Sequence, residues 1–346
     1  MNIRLEDLVV GLVAASLLMH PVAAETLRLG PAPQGKAADI GSLSRGEAVE
    51  REATALKWKL KPAAKVTAKA PSAPVLQAWM SPEIAGAWSL GFKGQGTTLT
   101  VVDDFSSKSV FSGNLGTGRK SLRHGEWTRL EATMIAPSAT AVSHDFSSGR
   151  SVALASGGLN VVNLSYGMFA KAGYSASQIG WSAQERSLIS HASGGAAVIA
   201  KAAGNDAVAI GRANRSGNVD YLNMALVGTP STIFVGALDR NGTTTQKASL
   251  ASYSNFAGSD PVVQNHFLSV GVRSDLTGLA GTSFAAPVVS GYAAVLGSKF
   301  TTATPAQISN RLLDTARTDT IQNYNAALHG RGEASIGRAL APASIQ

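Results

Sequence analysis

Short apolar runs alternate with stretches of helical periodicity along most of this 346-residue chain. The apolar runs predict buried strands at residues 98–102, 160–164, 196–200 and 233–237. The periodic stretches predict helices at residues 124–136, 179–192, 283–296 and 305–315. Strands that alternate with helices predict an α/β fold, a three-layer sandwich with a mostly parallel central sheet and helices on both faces.

The composition excludes several kinds of chemistry. The chain has no cysteine, which rules out disulfides, thiolate catalysis and cysteine-based zinc sites. It also has no His-x-x-x-His pairing, which argues against a zinc hydrolase. The net charge of +8 is spread along the chain without a dense basic tract, so no nucleic-acid partner is expected.

The N-terminal part of the chain differs from the rest. Residues 8–19 form an apolar run too short to span a membrane, and Val22-Ala23-Ala24 offers small residues for signal-peptidase cleavage. Residues 1–24 are therefore predicted to be a signal peptide, and the protein to be exported to the periplasm or beyond. Residues 25–75, rich in Ala, Pro and Lys, are predicted to be a short propeptide or linker with one helix at about 45–60.

A hydroxyl pair precedes a helix of small apolar residues in segment 280–291, Ala-Gly-Thr-Ser-Phe-Ala-Ala-Pro-Val-Val-Ser-Gly. Ser283 is expected at the mouth of this buried helix, near backbone N–H groups that have no partner within the helix and near the positive end of its dipole. A nucleophilic serine needs such donors for the oxyanion that its attack creates. The segment therefore favours Ser283 as a nucleophile.

Four segments together carry a resemblance to a known family. Segment 280–291 closely resembles the Gly-Thr-Ser-Met-Ala-Ala-Pro motif of the subtilisin-like serine proteases, the subtilase family (peptidase family S8). Ala202-Ala203-Gly204-Asn205 matches the family's Ala-Ala-Gly-Asn segment. Asp103 ends a strand and precedes His124-Gly125, which gives the family's order Asp, His, Ser. The chain is identified as a divergent bacterial member of the family over about residues 79–341.

Two of these segments depart from the family pattern. Asp103-Asp104-Phe105 stands where the family reads Asp-Ser/Thr-Gly, so either carboxylate is a candidate; Asp103 is favoured because it directly follows the apolar strand residues. Trp127 replaces the second histidine of the family's His-Gly-Thr-His motif, but a general base needs only the first. The other candidate bases lack a helix start flanked by glycine: His144, His191 and His266.

The resemblance implies a secreted serine endopeptidase whose catalytic domain spans residues 76–346. Ser283 would be the nucleophile, His124 the general base and Asp103 the group that orients His124, while Asn205 would donate to the oxyanion. An extended polypeptide substrate would pair with the edge of the strand that starts near residue 162. The residues expected to bind it are Ser165, Tyr166, Gly167, Ala203 and Gly204. Tyr253-Ser254-Asn255-Phe256 resembles a family strand that packs near the site.

No cofactor or metal is expected to take part in this chemistry. Calcium sites are frequent in the family, but the chain has no Asp-x-Asp-x-Asp-Gly loop, so calcium stays open. The expected partner is a polypeptide substrate, with no nucleic acid, no stable membrane span and a monomeric state.

Other functions are weighed against this one. The divergent sequence after His124 and the Asp-Asp-Phe segment motivate a catalytically impaired, protease-like protein that binds peptides. An α/β-hydrolase would need a Gly-x-Ser-x-Gly elbow and another triad order. A sedolisin-like protease shares a Gly-Thr-Ser segment but uses a glutamate base, so a His124→Ala variant with full activity would indicate it.

Overall fold

Eleven strands are assigned in the computed structural model, which describes residues 9–12 and 73–345. In chain order they are β1 (Val9–Leu12), β2 (Thr97–Asp103), β3 (Phe111–Gly113), β4 (Lys120–Leu122), β5 (Thr140–Asp145), β6 (Leu159–Leu164), β7 (Tyr166–Lys171), β8 (Val198–Ala202), β9 (Asn218–Asp220), β10 (Thr232–Leu238) and β11 (Phe267–Gly271). Six of them form the central sheet, in the order β11-β10-β8-β6-β2-β5, and every neighbouring pair is parallel.

Ten α-helices accompany these strands within the same described ranges. They are α1 (Glu83–Ser89), α2 (His124–Ile135), α3 (Ala183–Ser193), α4 (Tyr221–Leu226), α5 (Pro261–Asn265), α6 (Ser274–Thr277), α7 (Ala286–Lys299), α8 (Pro305–Asp314), α9 (Ala326–His329) and α10 (Ile336–Leu340). Helix α7 is the most buried of the long ones, since only Lys299 at its end is not buried.

Alternate residues of the central strands supply two hydrophobic cores, one on each face of the sheet. On β2, Val101 belongs to the core that includes α2, α7 and α8, whereas Val102 belongs to the core that includes α3 and α4. Successive side chains of a strand point to opposite faces, so strands covered on both sides read as unbroken apolar runs. The predicted three-layer α/β architecture is confirmed.

Most predicted elements lie where the pattern placed them, and three differ for physical reasons. The helix predicted at 179–192 begins at Ala183, because the Ser182 side chain caps its N-terminus. The strand predicted at 196–200 continues to Ala202, because Lys201 is buried within the strand instead of ending it. The helix predicted from residue 283 begins at Ala286, and Ser283 lies in a short 3-10 turn, Thr282–Phe284, in front of it. The nucleophile candidate therefore precedes the regular helix α7 and is not part of it.

A second, antiparallel sheet flanks the carboxyl ends of the central strands. It has the order β1-β7-β9, with Gly167 of β7 paired to Gly11 of β1 and Phe169 of β7 paired to Asp220 of β9. Strand β7 follows β6 after a single residue, Ser165, so the chain passes directly from the central sheet into this ribbon. Residues 253–256, expected as a strand, instead form a turn with a single bridge at Phe256.

The predictions for the N-terminal part fall mostly outside the described residues. The helix expected at about 45–60 and all but the last three residues of the linker 25–75 lie within residues 13–72, which the structure does not describe. Residues 9–12 and 74–345 fall in one compact unit. Within the described ranges, no helix is both long and apolar enough to cross a membrane.

Candidate active site

Asp103 and His124 form a buried hydrogen-bonded pair at the carboxyl end of β2. Asp103 is the last residue of β2 and His124 the first of α2, and the exposed fractions of the two residues are 0% and 1%. The distance from His124 Nδ1 to Asp103 Oδ1 is 2.6 Å. Thr128, one turn further along α2, donates to Asp103 Oδ2 at 3.0 Å. Both oxygens of Asp103 therefore accept hydrogen bonds.

Asp104 has a different set of partners. Its Oδ1 accepts from the backbone N–H groups of Ser106 and Ser107, and its Oδ2 accepts from the Ser107 hydroxyl. These bonds stabilise the turn that follows β2. Of the two adjacent carboxylates, Asp103 is the one bonded to His124.

The ring of His124 lies between two aromatic rings. Its centroid is 6.1 Å from that of Phe111 and 5.6 Å from that of Phe284, which follows Ser283 in the chain. Trp127, at the position of the family's second histidine, is fully buried and donates from Nε1 to the Phe111 carbonyl at 2.9 Å. Trp127 therefore holds the backbone of Phe111, whose ring packs near His124.

The second ring nitrogen of His124 faces the interior without a partner. Among the described residues, Nε2 is buried and has no hydrogen bond. Since Nδ1 bonds to a carboxylate, the proton of the neutral ring belongs on Nδ1 and the lone pair on Nε2. This is the arrangement that a general base requires.

Ser283 is fully buried and is held against the start of β7. Its Oγ donates to the Ser165 carbonyl at 3.2 Å, and its own carbonyl accepts from Ser165 Oγ at 2.9 Å. Asn163 Nδ2 donates to Ser165 Oγ at 3.0 Å, and Asn163 Oδ1 accepts from Ser290 of α7 at 3.2 Å. Through Ser165 and Asn163 the nucleophile candidate is thus linked to β6, and Asn163 in turn links β6 to α7.

Asn205 lies next to the nucleophile turn, in the loop that follows β8. Its side-chain Oδ1 accepts from Thr282 N at 2.8 Å and from Thr282 Oγ1 at 3.0 Å. These two bonds fix the orientation of the Asn205 amide. Thr282 also accepts from Gly204 N at 3.0 Å, so two consecutive residues of the loop bond to it.

Asn255 shapes the loop that carries Asn205. Its Nδ2 donates to the Ala203 carbonyl at 3.0 Å, and its Oδ1 accepts from the backbone N–H groups of Asp206 and Val208 at 2.9 and 3.2 Å. A Cβ on Gly204 would stand 2.3 Å from Asn255 Nδ2, and Gly204 has φ of +115°, so only glycine fits there. Asn255 thus belongs to a turn that buttresses this loop, where sequence reasoning expected a strand.

The residues expected to bind substrate lie around β7 and the end of β8. Ser165 bonds to Ser283, and Gly204 bonds to the neighbouring Thr282. Ala203 and Gly204 directly precede Asn205, and Gly167 lies two residues after Ser165. The Tyr166 side chain is fully buried on the other face, where its hydroxyl donates to Glu185 at 3.2 Å and burial raises its pKa well above the usual range. Only the backbone of Tyr166 therefore lies on the edge of β7.

Three residues support the site through bonds that the sequence motifs do not indicate. Thr128, Asn163 and Thr282 each bond to a candidate site residue. Thr128 could have been found from its spacing, because it lies four residues after His124 and therefore on the same face of a helix. The contacts of Asn163 and Thr282 join segments more than 70 residues apart, and no local pattern indicates them.

The structure offers no group of metal ligands in its described part. No cluster of three or more His, Asp or Glu side chains is found among residues 9–12 and 73–345. The three other histidines considered as bases bond elsewhere: His144 to Ser148, His191 to the Val152 carbonyl and His266 to the Thr232 carbonyl.

Comparison with known proteins identifies the family of the chain. Residues 132–332, more than half of the chain, match the model of the Subtilase family, Peptidase_S8. This match includes Asn205 and Ser283 and begins after Asp103 and His124. No curated protein sequence matches the chain.

Several solved structures resemble the fold at low sequence identity. MycP1 from the ESX-1 type VII secretion system is 20% identical with a TM-score of 0.47, and the match covers 75% of this chain and 83% of that one. The MycP3 protease from the type VII (ESX-3) secretion system is 21% identical with a TM-score of 0.47, covering 75% and 86%. A protease from Pseudoalteromonas arctica PAMC 21717 is 19% identical with a TM-score of 0.45, covering 76% and 94%.

Proposed function

Because the chain belongs to the subtilase family of serine-type endopeptidases, we propose that it hydrolyses peptide bonds with Asp103, His124 and Ser283, helped by Asn205. The observation that carries this proposal is the 2.6 Å bond between Asp103 and His124 Nδ1, which leaves His124 Nε2 as the basic atom. Phe284 packs against the His124 ring, so the nucleophile turn and the base are adjacent.

The proposed reaction begins with attack of Ser283 Oγ on the scissile carbonyl. His124 Nε2 takes the hydroxyl proton as the bond to carbon forms, and later gives it to the leaving amine. Asp103 holds the ring in the tautomer with its proton on Nδ1 and stabilises the imidazolium. A water molecule then attacks the acyl-enzyme by the same route and releases the second product.

The oxyanion of each tetrahedral intermediate would be held by Asn205 and by the backbone N–H of Ser283. The bonds from Thr282 fix the Asn205 amide before substrate arrives, so its orientation costs nothing at the moment of reaction. Loss of one such donor lowers kcat by about 10²–10³-fold, a magnitude established on subtilisin itself.

The substrate would bind as an extended polypeptide along the edge of β7 that β1 occupies in the structure. One edge of β7 pairs with β9, and the other pairs antiparallel with β1. The β1 pairing supports the proposal, because it is the geometry in which a sheet edge accepts a peptide strand. Strand β1 lies within residues 1–24, which we propose are removed on export, and its removal would open this edge to substrate.

We propose that the active unit is the exported monomer, acting without a cofactor. All four groups of the proposed chemistry belong to one chain, and none of the steps above needs a metal ion.

A fluorophosphonate probe tests the proposal directly. The purified protein is expected to form an adduct on Ser283, located by mass spectrometry. Ser283→Ala and His124→Ala are expected to abolish labelling, while His191→Ala, a matched histidine bonded to the Val152 carbonyl, should label at the wild-type rate. Absence of labelling in folded protein freed of residues 1–24 would contradict the proposal and favour a peptide-binding protein without turnover.

A further inference from the structure

A lysine is buried in the middle of the central sheet, outside the groups that the proposed reaction uses. Lys201, in β8, has an exposed fraction of 0%, and its ammonium lies 3.1 Å from Asp220 Oδ2. The same ammonium donates to the Ala202 carbonyl at 2.8 Å. The Asp220 side chain is only 6% exposed, so both charges are removed from water.

Stability alone does not explain such a pair. Burial lowers the pKa of Lys201, while the Asp220 carboxylate acts in the opposite direction. Removing two charges from water costs about as much as their attraction returns, and well-packed neutral residues often stabilise a protein equally well. The position of the pair in the molecule is therefore the feature to explain.

On one side the pair holds the backbone of β7. Asp220 Oδ1 accepts from the Met168 backbone N–H at 2.9 Å. Its Oδ2 lies 2.7 Å from the place where a Cβ on Gly167 would stand, so the carboxylate lies directly behind the residue that pairs with Gly11 of β1. Asp220 therefore fixes the part of β7 that is proposed to hold the substrate.

On the other side the pair holds the end of β8 that leads to Asn205. Lys201 bonds to the Ala202 carbonyl, three residues before Asn205 in the chain. Asn223, in the helix that Asp220 caps, donates to the next carbonyl, that of Ala203, at 3.0 Å. The bonds thus run from the β7 backbone through Asp220 and Lys201 to the oxyanion loop.

We infer that Lys201 and Asp220 are a positioning pair that fixes the substrate edge of β7 relative to the oxyanion donor Asn205. The inference rests on the proposed function. Neither side chain touches the reacting atoms, so the pair acts through the backbone. A substrate that pairs with β7 depends on this alignment, whereas a small reagent that reaches Ser283 without pairing with β7 does not.

The test compares two rates measured on the same protein. One is kcat/KM for an extended peptide that pairs with β7, and the other is the labelling rate constant of a small fluorophosphonate. The ratio of the two rates does not depend on how much of the protein is folded. A merely structural role of the pair would lower both rates together and leave the ratio unchanged.

The double variant Lys201→Met/Asp220→Asn is the informative one. Methionine keeps the unbranched shape of lysine, asparagine keeps an acceptor for Met168 N–H, and no unpaired charge is left in the core. We expect the ratio to fall at least tenfold in this variant. In Val270→Ala, which only trims the hydrophobic core at β11, the ratio should stay within twofold of wild type.

A folded double variant that keeps the wild-type ratio overturns the inference while leaving the proposed function intact. A wild-type protein whose Ser283 is not labelled overturns the proposed function, and the inference falls with it. The single variants Lys201→Met and Asp220→Asn each leave one buried charge unpaired. They should melt at a lower temperature than the double variant, which separates the cost of an unpaired charge from the loss of alignment.

Discussion

Two buried carboxylates in this molecule have opposite surroundings. Asp103, at the end of β2, accepts from His124, from Thr128 and from the backbone N–H of Asp104. Glu333, beside β11 at the far edge of the sheet, accepts from Gly242 N on one oxygen, and its other donor is the side chain of Thr320 rather than a histidine. Burial raises the pKa of Glu333 to about 7. Both carboxylates are buried, so the difference between them lies in the hydrogen-bond donors around each one.

The largest expected effect is a difference in activity between variants of the two carboxylates. Asp103→Asn is expected to lower kcat by about 10⁴-fold, because an amide no longer selects the His124 tautomer with a free Nε2. Glu333→Gln should leave kcat within twofold of wild type. Peptide hydrolysis measured per active site checks both, and a comparable loss in the two variants would remove the distinction between them.

The next effect is the dependence of folding stability on pH, and the carboxylate expected to cause it is Glu333. Its pKa of about 7 in the folded state exceeds the ordinary 4.5 expected for the unfolded chain. Between these values the unfolded chain gives up a proton that the folded protein keeps, so stability falls as pH rises from about 4.5 to 7. At about 1.4 kcal/mol per unit this amounts to about 3 kcal/mol.

Glu333→Gln should remove most of that loss. Urea denaturation in a Ser283→Ala background, which prevents self-cleavage, is expected to show similar stability at pH 5 and a more stable variant at pH 8. Burial also raises the pKa of Glu131, so part of the slope should remain in the variant. An unchanged slope would mean that Glu333 titrates as an ordinary surface carboxylate.

A smaller effect should follow from taking one donor away from Asp103. Thr128→Val keeps the shape of the side chain and removes the hydroxyl, which should cost about 1.5–3 kcal/mol of stability and lower kcat by roughly tenfold. Thr133→Val is the matched control, because the Thr133 hydroxyl bonds only to carbonyls of α2 itself. Thermal unfolding and peptide hydrolysis of the two variants should differ; equal results would mean that the Thr128 bond is dispensable.

The smallest effect is expected at the neighbouring carboxylate. Asp104→Asn keeps an acceptor for the backbone of Ser106 and Ser107, so kcat should change less than fivefold. A loss near that of Asp103→Asn would reverse the roles of the two residues.

The sequence predicted most of the central sheet because strands covered on both faces are continuously apolar. β2, β6 and β10 and helices α2 and α8 were found in this way. β8 was cut short at Ala200, because a lysine normally marks the surface, and its partner Asp220 lies 19 residues further along the chain. Strand β7 begins one residue after β6 ends, so no turn signal separates the two strands and the sequence pattern does not distinguish them.

The candidate site was predicted as far as local motifs extend. Ser283 and Asn205 lie in segments whose backbone conformation requires particular residues, so the resemblance to the subtilase motifs is strong there. His124 matches only in its first two residues, yet it reaches Asp103, because the position of the ring depends on where α2 begins. The Thr282 and Asn255 bonds join distant segments and become visible only in the folded chain.

Strand β1 gives the N-terminal segment a second consequence besides the proposed export. A strand carried by the same chain competes for the β7 edge as an intramolecular ligand, so a free peptide binds only to molecules whose edge β1 has left. If β7 is the substrate edge, the apparent KM of a chain that keeps residues 1–24 is raised by the inverse of the fraction of molecules whose edge is vacant. The precursor would then bind little substrate until residues 1–24 are removed. The time of that removal would determine when hydrolysis of other polypeptides begins.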